Sequence, residues 1–329
     1  MHPGRSMNPR LRRLLAAIGV LACTGFWPGL ASGQAPWPSK TVTLIVPFAP
    51  GGAGNGSLRI LAEVMAPQLH QAVVVDNRPG AGGMTGTAVV TASADDHLFL
   101  MGSTSMTILP ALRKDMPYDV QRDLKPVGMI SSQPMVLAVA SNSSMRSLED
   151  LVSQGRSGQV SAGNSGVGTL SHLATELINH KLQTRITPVP YKGDNVLLPD
   201  VVSGVISMGV VNLPVALPLI QSGKLRALAV TSQQTLPSLP GVPTLRTLGD
   251  EFVITGWAAL FAARQVPPAG IERMGLLLRQ ALAQPATQEK FAAFGVTPEI
   301  STPSQLQVFV HNETRRWAEV VRSRAIQLD

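Results

Sequence analysis

An α/β protein with a mainly parallel sheet and helices on its faces is the fold class this sequence predicts. Short β-branched and aliphatic runs alternate with segments of helical spacing. Three glycine- or hydroxyl-rich loops, at 47–56, 80–86 and 163–169, each join such a run to such a segment. With 329 residues, 44% of them hydrophobic and 14% charged, the chain has material for two lobes that each bury a core.

In chain order, residues 1–34 read as a leader. Arg5, Arg10, Arg12 and Arg13 precede an apolar run from Leu14 to Ala22, and Ala31-Ser32-Gly33 stands near a plausible cleavage point, as in a secretory signal. The run is about half the length that spans a bilayer. Cys23 follows small residues, as a lipidation site does, but Leu21 then Ala22 fits such a site poorly, so ordinary cleavage and a periplasmic protein are expected. Residues 41–46, 72–76 and 98–102 then read as strands, with helices at 58–69 and 84–93 between them.

Residues 127–140 hold two apolar segments around Ser131-Ser132-Gln133-Pro134, which suits a chain passing from one lobe to another. A second α/β unit follows, with strands at 159–162, 205–211 and 225–231, the last a candidate return crossing, and a helix at 169–180. A proline-rich loop at 237–244, a strand at 257–262 and amphipathic helices at 269–282 and 303–324 close the chain.

Composition removes several function classes. The formal charge of +7 falls to +3 without the four leader arginines, leaving 23 basic against 20 acidic residues, and the basic residues are scattered without interleaved aromatics. Nucleic-acid binding therefore lacks support. Cys23 is the only cysteine, so a cleaved chain has no disulfide, cysteine nucleophile or cysteine-ligated metal. His172 and His180 lie eight apart without a zinc-helix spacing, and of the histidines only His172 stands close behind a glycine loop. Gly80-Ala81-Gly82 starts a dinucleotide fingerprint, but Thr85 occupies the third glycine position. Ser165 lacks the second glycine of a nucleophile elbow, since Val167 stands there. No catalytic residue, metal or cofactor is expected.

The glycine loops fit a different chemistry. A helix start offers free N–H groups and the positive end of its dipole, and glycine lets an anion approach that backbone. Three such loops suggest an anion held from several sides.

Several motifs together resemble one family. Trp37-Pro38, Val46-Pro47-Phe48-Ala49-Pro50-Gly51-Gly52, Asp76-Asn77-Arg78-Pro79-Gly80-Ala81-Gly82-Gly83 and Ser165-Gly166-Val167-Gly168 with His172-Leu173 occur in that order. Val189-Pro190-Tyr191-Lys192-Gly193, the run Gly223 to Val230, and Val242-Pro243-Thr244 continue it. The set is similar to the Bug family, extracytoplasmic solute receptors of tripartite tricarboxylate transporters. The resemblance implies a periplasmic-binding-protein type II fold, with two lobes, a ligand cleft and two crossover segments. The lobes would comprise residues 35–135 with 230–329, and 136–229.

By the same resemblance the chain would be a monomeric binding protein, not an enzyme, that takes a small organic acid and hands it to membrane permease subunits. The alternatives are a ligand-occupancy sensor partner on the same fold and a periplasmic enzyme acting on carboxylates. Phe48, Ala49, Gly51, Gly52 and Asn55 would form the first ligand loop and Gly80, Ala81 and Gly82 the second. Ser103, Thr104, Ser165, Gly166 and Thr169 would complete the cleft. Two departures stand out: Asn55 and Ser207 occupy positions where the family commonly has aspartate. Losing both acids fits either a more anionic ligand or a drifted copy with a new ligand or none, and the low aromatic content, 4%, mildly disfavours ring stacking.

Overall fold

A computed structural model describes residues 37–323, so the leader and Cys23 lie outside the described residues. The first unit is β1 (Val42–Val46), α1 (Ala53–Leu69), β2 (Val73–Asn77), α2 (Met84–Thr91), β3 (Leu98–Ser103) and α3 (Ser105–Leu112). β1 pairs in parallel with both β2 and β3. Each of these strands ends in a turn that starts a helix, which sets all three loops at the carboxyl edge of the sheet.

Residues 127–140 do not break at Ser131–Pro134 but belong to one long strand, β4 (Leu124–Ala140). Its pairing changes partway along. From Leu124 to Pro134 it runs antiparallel to β9 (Thr255–Ala263), which is itself antiparallel to β3. From Met135 onward its partners are β7 (Met208–Asn212) and β8 (Leu225–Val230). The exchange falls at Pro134, which has no N–H to continue the ladder. A short β10 (Thr297–Pro298) also pairs with the first part of β4.

The remaining elements are α4 (Leu148–Ser157), β5 (Ser161–Asn164), α5 (Leu170–Leu182), β6 (Thr187–Pro190), α6 (Asp194–Ser203), α7 (Leu213–Gln221), α8 (Pro268–Ala283), α9 (Pro285–Ala293) and α10 (Pro303–Ser323). β5 is parallel to β6 and β7. The sheet is therefore mixed: parallel on its two flanks and antiparallel around β4 and β9, because β9 returns from far along the chain to lie between β3 and β4.

Period-two burial fixes the second half of β4. Met135, Leu137 and Val139 face a core with α5 residues Leu173, Leu177 and Ile178, while Val136 and Ala138 face Leu197, Leu198 and Val201 of α6. The first of these cores also takes Ile108 of α3 and Trp317 and Val321 of α10. The C-terminal helix thus packs on elements from the first unit and from the middle of the chain. Among the described residues no helix is long and apolar enough to cross a membrane.

Candidate functional site

Five helix starts open onto one central cavity: Ala53, Gly54 and Asn55 of α1, Thr104 and Ser105 at α3, Thr169, Leu170 and Ser171 at α5, Asp194 and Asn195 of α6, and Asn212 before α7. The cavity holds about 690 Å³ of empty space, counting its mouth. Each helix follows a strand, so the five starts gather at the carboxyl edges of both parallel flanks, where ligands of open α/β sheets bind. None of the five has a side-chain cap bond.

The first loop is held from behind. Asn77, at the end of β2, donates from Nδ2 to the Phe48 carbonyl at 2.8 Å and accepts from Asn55 Nδ2 at 3.1 Å. Asn55 Oδ1 accepts from Arg59 Nε at 3.1 Å and from the Gly51 N–H at 3.4 Å. The helix cap itself is Gly52. Asn55 is therefore a brace between loop and helix that also lines the cavity.

Loops from the two flanks meet across the cavity. The Ala49 N–H donates to the Lys192 carbonyl at 3.2 Å, and Asn195 Nδ2 donates to the Pro50 carbonyl. Gly82 has φ +64, and a Cβ there would collide with the Val167 carbonyl. The second loop and the 166–168 loop thus approach backbone to backbone, a fit only glycine allows.

The opposite wall carries a buried acid. Asp194 is 3% exposed. Its carboxylate accepts from Ser165 Oγ, from the Asn212 N–H at 3.0 Å and from Asn212 Nδ2 at 2.6 Å. Burial pushes the Asp194 carboxyl above the usual carboxylate range, with the Ser165 and Asn212 bonds opposing that shift. Gln133 Nε2 donates to Asn212 Oδ1 at 3.3 Å, and Gly256 lacks a Cβ that would stand 3.0 Å from the same oxygen. Met101, Met135, Phe48 and Trp257 supply the apolar lining.

Of the residues expected from sequence, Phe48, Ala49, Gly52, Asn55, Ser103, Thr104, Ser165 and Thr169 line the central cavity. Gly80, Ala81, Gly82 and Gly166 line an adjoining one that shares Phe48 and Ser165 with it. Gly51 is in neither and lies against the Asn195 side chain. His172 lines neither cavity; its Nδ1 accepts the Gly168 N–H at 3.2 Å, so it braces the loop from inside, and burial pushes its pKa down. Ser207 precedes β7 and exchanges bonds with Ser161, at the far end of that strand from Asn212. Its identity does not set the charge of the cavity. Two aromatic residues, Phe48 and Trp257, do line it despite the low aromatic content.

Asp194, Asn195, Asn212, Gln133 and Trp257 were not singled out by sequence. The one available signal was Gly193-Asp194-Asn195 between a strand and a helix, the same loop grammar as at 51–55.

Residues 57–326 match the model of the tripartite tricarboxylate transporter family receptor. The chain is 37% identical to protein BugT of Bordetella pertussis over 324 residues, which cover 97% of this chain and 99% of that one. An R. palustris protein solved with adipate superposes with a TM-score of 0.83 at 30% identity, over 88% of this chain and 99% of its own. MatC of Rhodopseudomonas palustris, solved with malate, gives 0.81 at 27%, over 87% and 100%. The chain belongs to the tripartite tricarboxylate transporter receptor family and has the periplasmic-binding-protein type II fold, two lobes around a ligand cleft.

Proposed function

We propose that this protein is a periplasmic receptor that captures a small organic carboxylate in the central cavity, delivers it to permease subunits in the membrane and performs no chemistry on it. The observation that carries the reading is the convergence of five helix starts on one cavity. N–H donors and aligned dipoles there favour an anion without an arginine clamp. The adipate and malate of the two structural relatives support a carboxylate ligand.

The lobes divide at the two points where the chain crosses. Residues 35–135 and 230–329 form the first and 136–229 the second, with the exchange of strand partners at Pro134–Met135 and the end of β8 at Val230 as the crossings. Ligand bridging the loops at 48–55 and 193–195 then favours closure, by as much as its affinity for the closed form exceeds that for the open one. The leader at 1–34 directs export.

The test is thermal unfolding of residues 35–329 with a panel of C3 to C6 mono-, di- and tricarboxylates and their neutral amides. A ligand that binds only the folded chain raises the melting temperature. An acid that raises it while its amide does not supports the reading; equal shifts from acid and amide, or none from any acid, would sink it.

A further inference from the structure

The cavity that favours an anion also contains a buried carboxyl group of its own. Asp194 is buried, lines the cavity and has no lysine, arginine or histidine ion-paired with it among the described residues. Asp194 Oδ2 takes two donors from Asn212 and Oδ1 takes one from Ser165. These bonds and the starts of α6 and α7 ease the burial of its charge without neutralising it.

An ionised carboxylate only accepts, and this orients the network attached to it. Asn212 must turn Nδ2 toward Asp194, so its Oδ1 faces Gln133. Gln133 must then turn Nε2 toward Asn212, which leaves Gln133 Oε1 buried in the lining without a partner among the described residues, on a residue 6% exposed. Beside Asp194, Asn195 spends Nδ2 on the Pro50 carbonyl, and its Oδ1 is likewise buried without a donor among the described residues. Asp194, Asn195 and Gln133 thus form a wall of acceptors. The starts of α1, α3 and α5 supply donors to the same space. Unsatisfied buried acceptors are costly, and a donor on the ligand relieves them.

We propose that Asp194 selects a ligand carrying a protonated nitrogen as well as a carboxylate, an amino acid or similar zwitterion, in preference to a plain acid of the same length. The inference rests on the receptor reading: the carboxylate engages the helix starts and the ammonium engages Asp194 with the free oxygens of Gln133 and Asn195. A plain dicarboxylate instead places an uncompensated second anion in the cavity with Asp194.

The test is calorimetric titration of the protein with matched pairs, succinate against aspartate, glutarate against glutamate and butyrate against 4-aminobutyrate, for wild type, Asp194→Asn and Asp194→Ala. The amino member of at least one pair is expected to bind wild type on the order of tenfold or more tightly than its plain partner. Either variant should erase or reverse that ratio. Plain acids that bind wild type as tightly as the amino acids overturn the selection by Asp194 and leave the receptor standing. A preference for amino acids that survives both variants overturns it equally. Binding of neither class overturns the receptor reading and this inference together. Should both variants fail to fold, the wild-type ratios decide alone.

Discussion

Asn212 gives both its backbone N–H and its side-chain amide to one oxygen of Asp194, at 3.0 and 2.6 Å. The carboxyl is nevertheless raised above the usual range, because desolvation outweighs these bonds and the one from Ser165. The sign of the pH dependence follows. Below the ordinary value of 3.8 the group is protonated in both folded and unfolded chains and costs nothing. As pH rises the unfolded chain ionises first, so the stability present in acid is lost through the higher folded value. The difference in melting temperature between unliganded wild type and Asp194→Ala should therefore shift against wild type as pH rises above 3.8. Asp95, Asp115, Asp123 and Glu149, all lowered, act in the opposite direction but equally in both proteins. Calorimetric scans across that range check this; a difference independent of pH would show that Asp194 keeps an ordinary pKa.

Gly82→Ala should weaken ligand binding and leave the two cores intact. A non-glycine residue at φ +64 costs about 1–2 kcal/mol, and the new methyl would meet the Val167 carbonyl from the opposite loop. If only the closed arrangement brings Gly82 and Val167 together, the contact burdens that state alone. Affinity should then fall by about tenfold or more for each ~1.4 kcal/mol of closure lost. Titration with the best acid of the thermal screen gives the number, and far-ultraviolet circular dichroism should stay unchanged. Unaltered affinity would place the second loop outside the closing contact.

The parts of this architecture made by neighbouring residues were legible in the sequence. Strand, loop and helix at 42–69, 73–91 and 161–182 need only local pattern and glycine placement, and eight of the residues expected at the ligand line the central cavity. What was not legible depends on strands distant in sequence. β9 enters between β3 and β4 from more than a hundred residues away, which makes the expected mainly parallel sheet antiparallel at its centre. Gln133, Asn212 and Asp194 touch only because β4 and β7 pair from Met135 to Ala138 and α6 begins beside them. Ser207 shows the converse: it is five residues from Asn212, but along an extended strand that is about 16 Å, from one edge of the sheet to the other.

Asn77 braces the first loop through two amide bonds, and its two replacements should separate bracing from charge. Asn77→Ala releases the Phe48 carbonyl and Asn55 Nδ2, and net hydrogen bonds of this kind contribute about 0.5–1.5 kcal/mol each. Ligand affinity should fall by roughly three- to tenfold as the loop loosens. Asn77→Asp keeps the acceptor for Asn55, removes the donor to Phe48 and adds an anion behind the loop, so its loss should exceed that of alanine, most at low salt. Titrations at two ionic strengths check the order; equal losses at both would leave the charge without effect.

Thr231, the residue after β8, joins β4 to the segment leading into β9. Its hydroxyl accepts the Met135 N–H at 2.9 Å and donates to the Ile254 carbonyl at 2.5 Å, and its own carbonyl accepts the Ile254 N–H at 3.0 Å. Met135 is the residue at which β4 changes partners, so this one fully buried side chain ties that exchange and the end of β8 to the segment leading into β9. Thr231→Val keeps the volume and removes the hydroxyl, leaving the Met135 N–H buried without that acceptor. Such a group costs about 1–3 kcal/mol, and urea unfolding should show a loss of that size with an unchanged m-value. Thr231→Ser restores the hydroxyl and should recover most of the loss, apart from about 1 kcal/mol for the missing methyl. A serine variant no more stable than valine would mean that packing, and not the hydroxyl, holds these segments together.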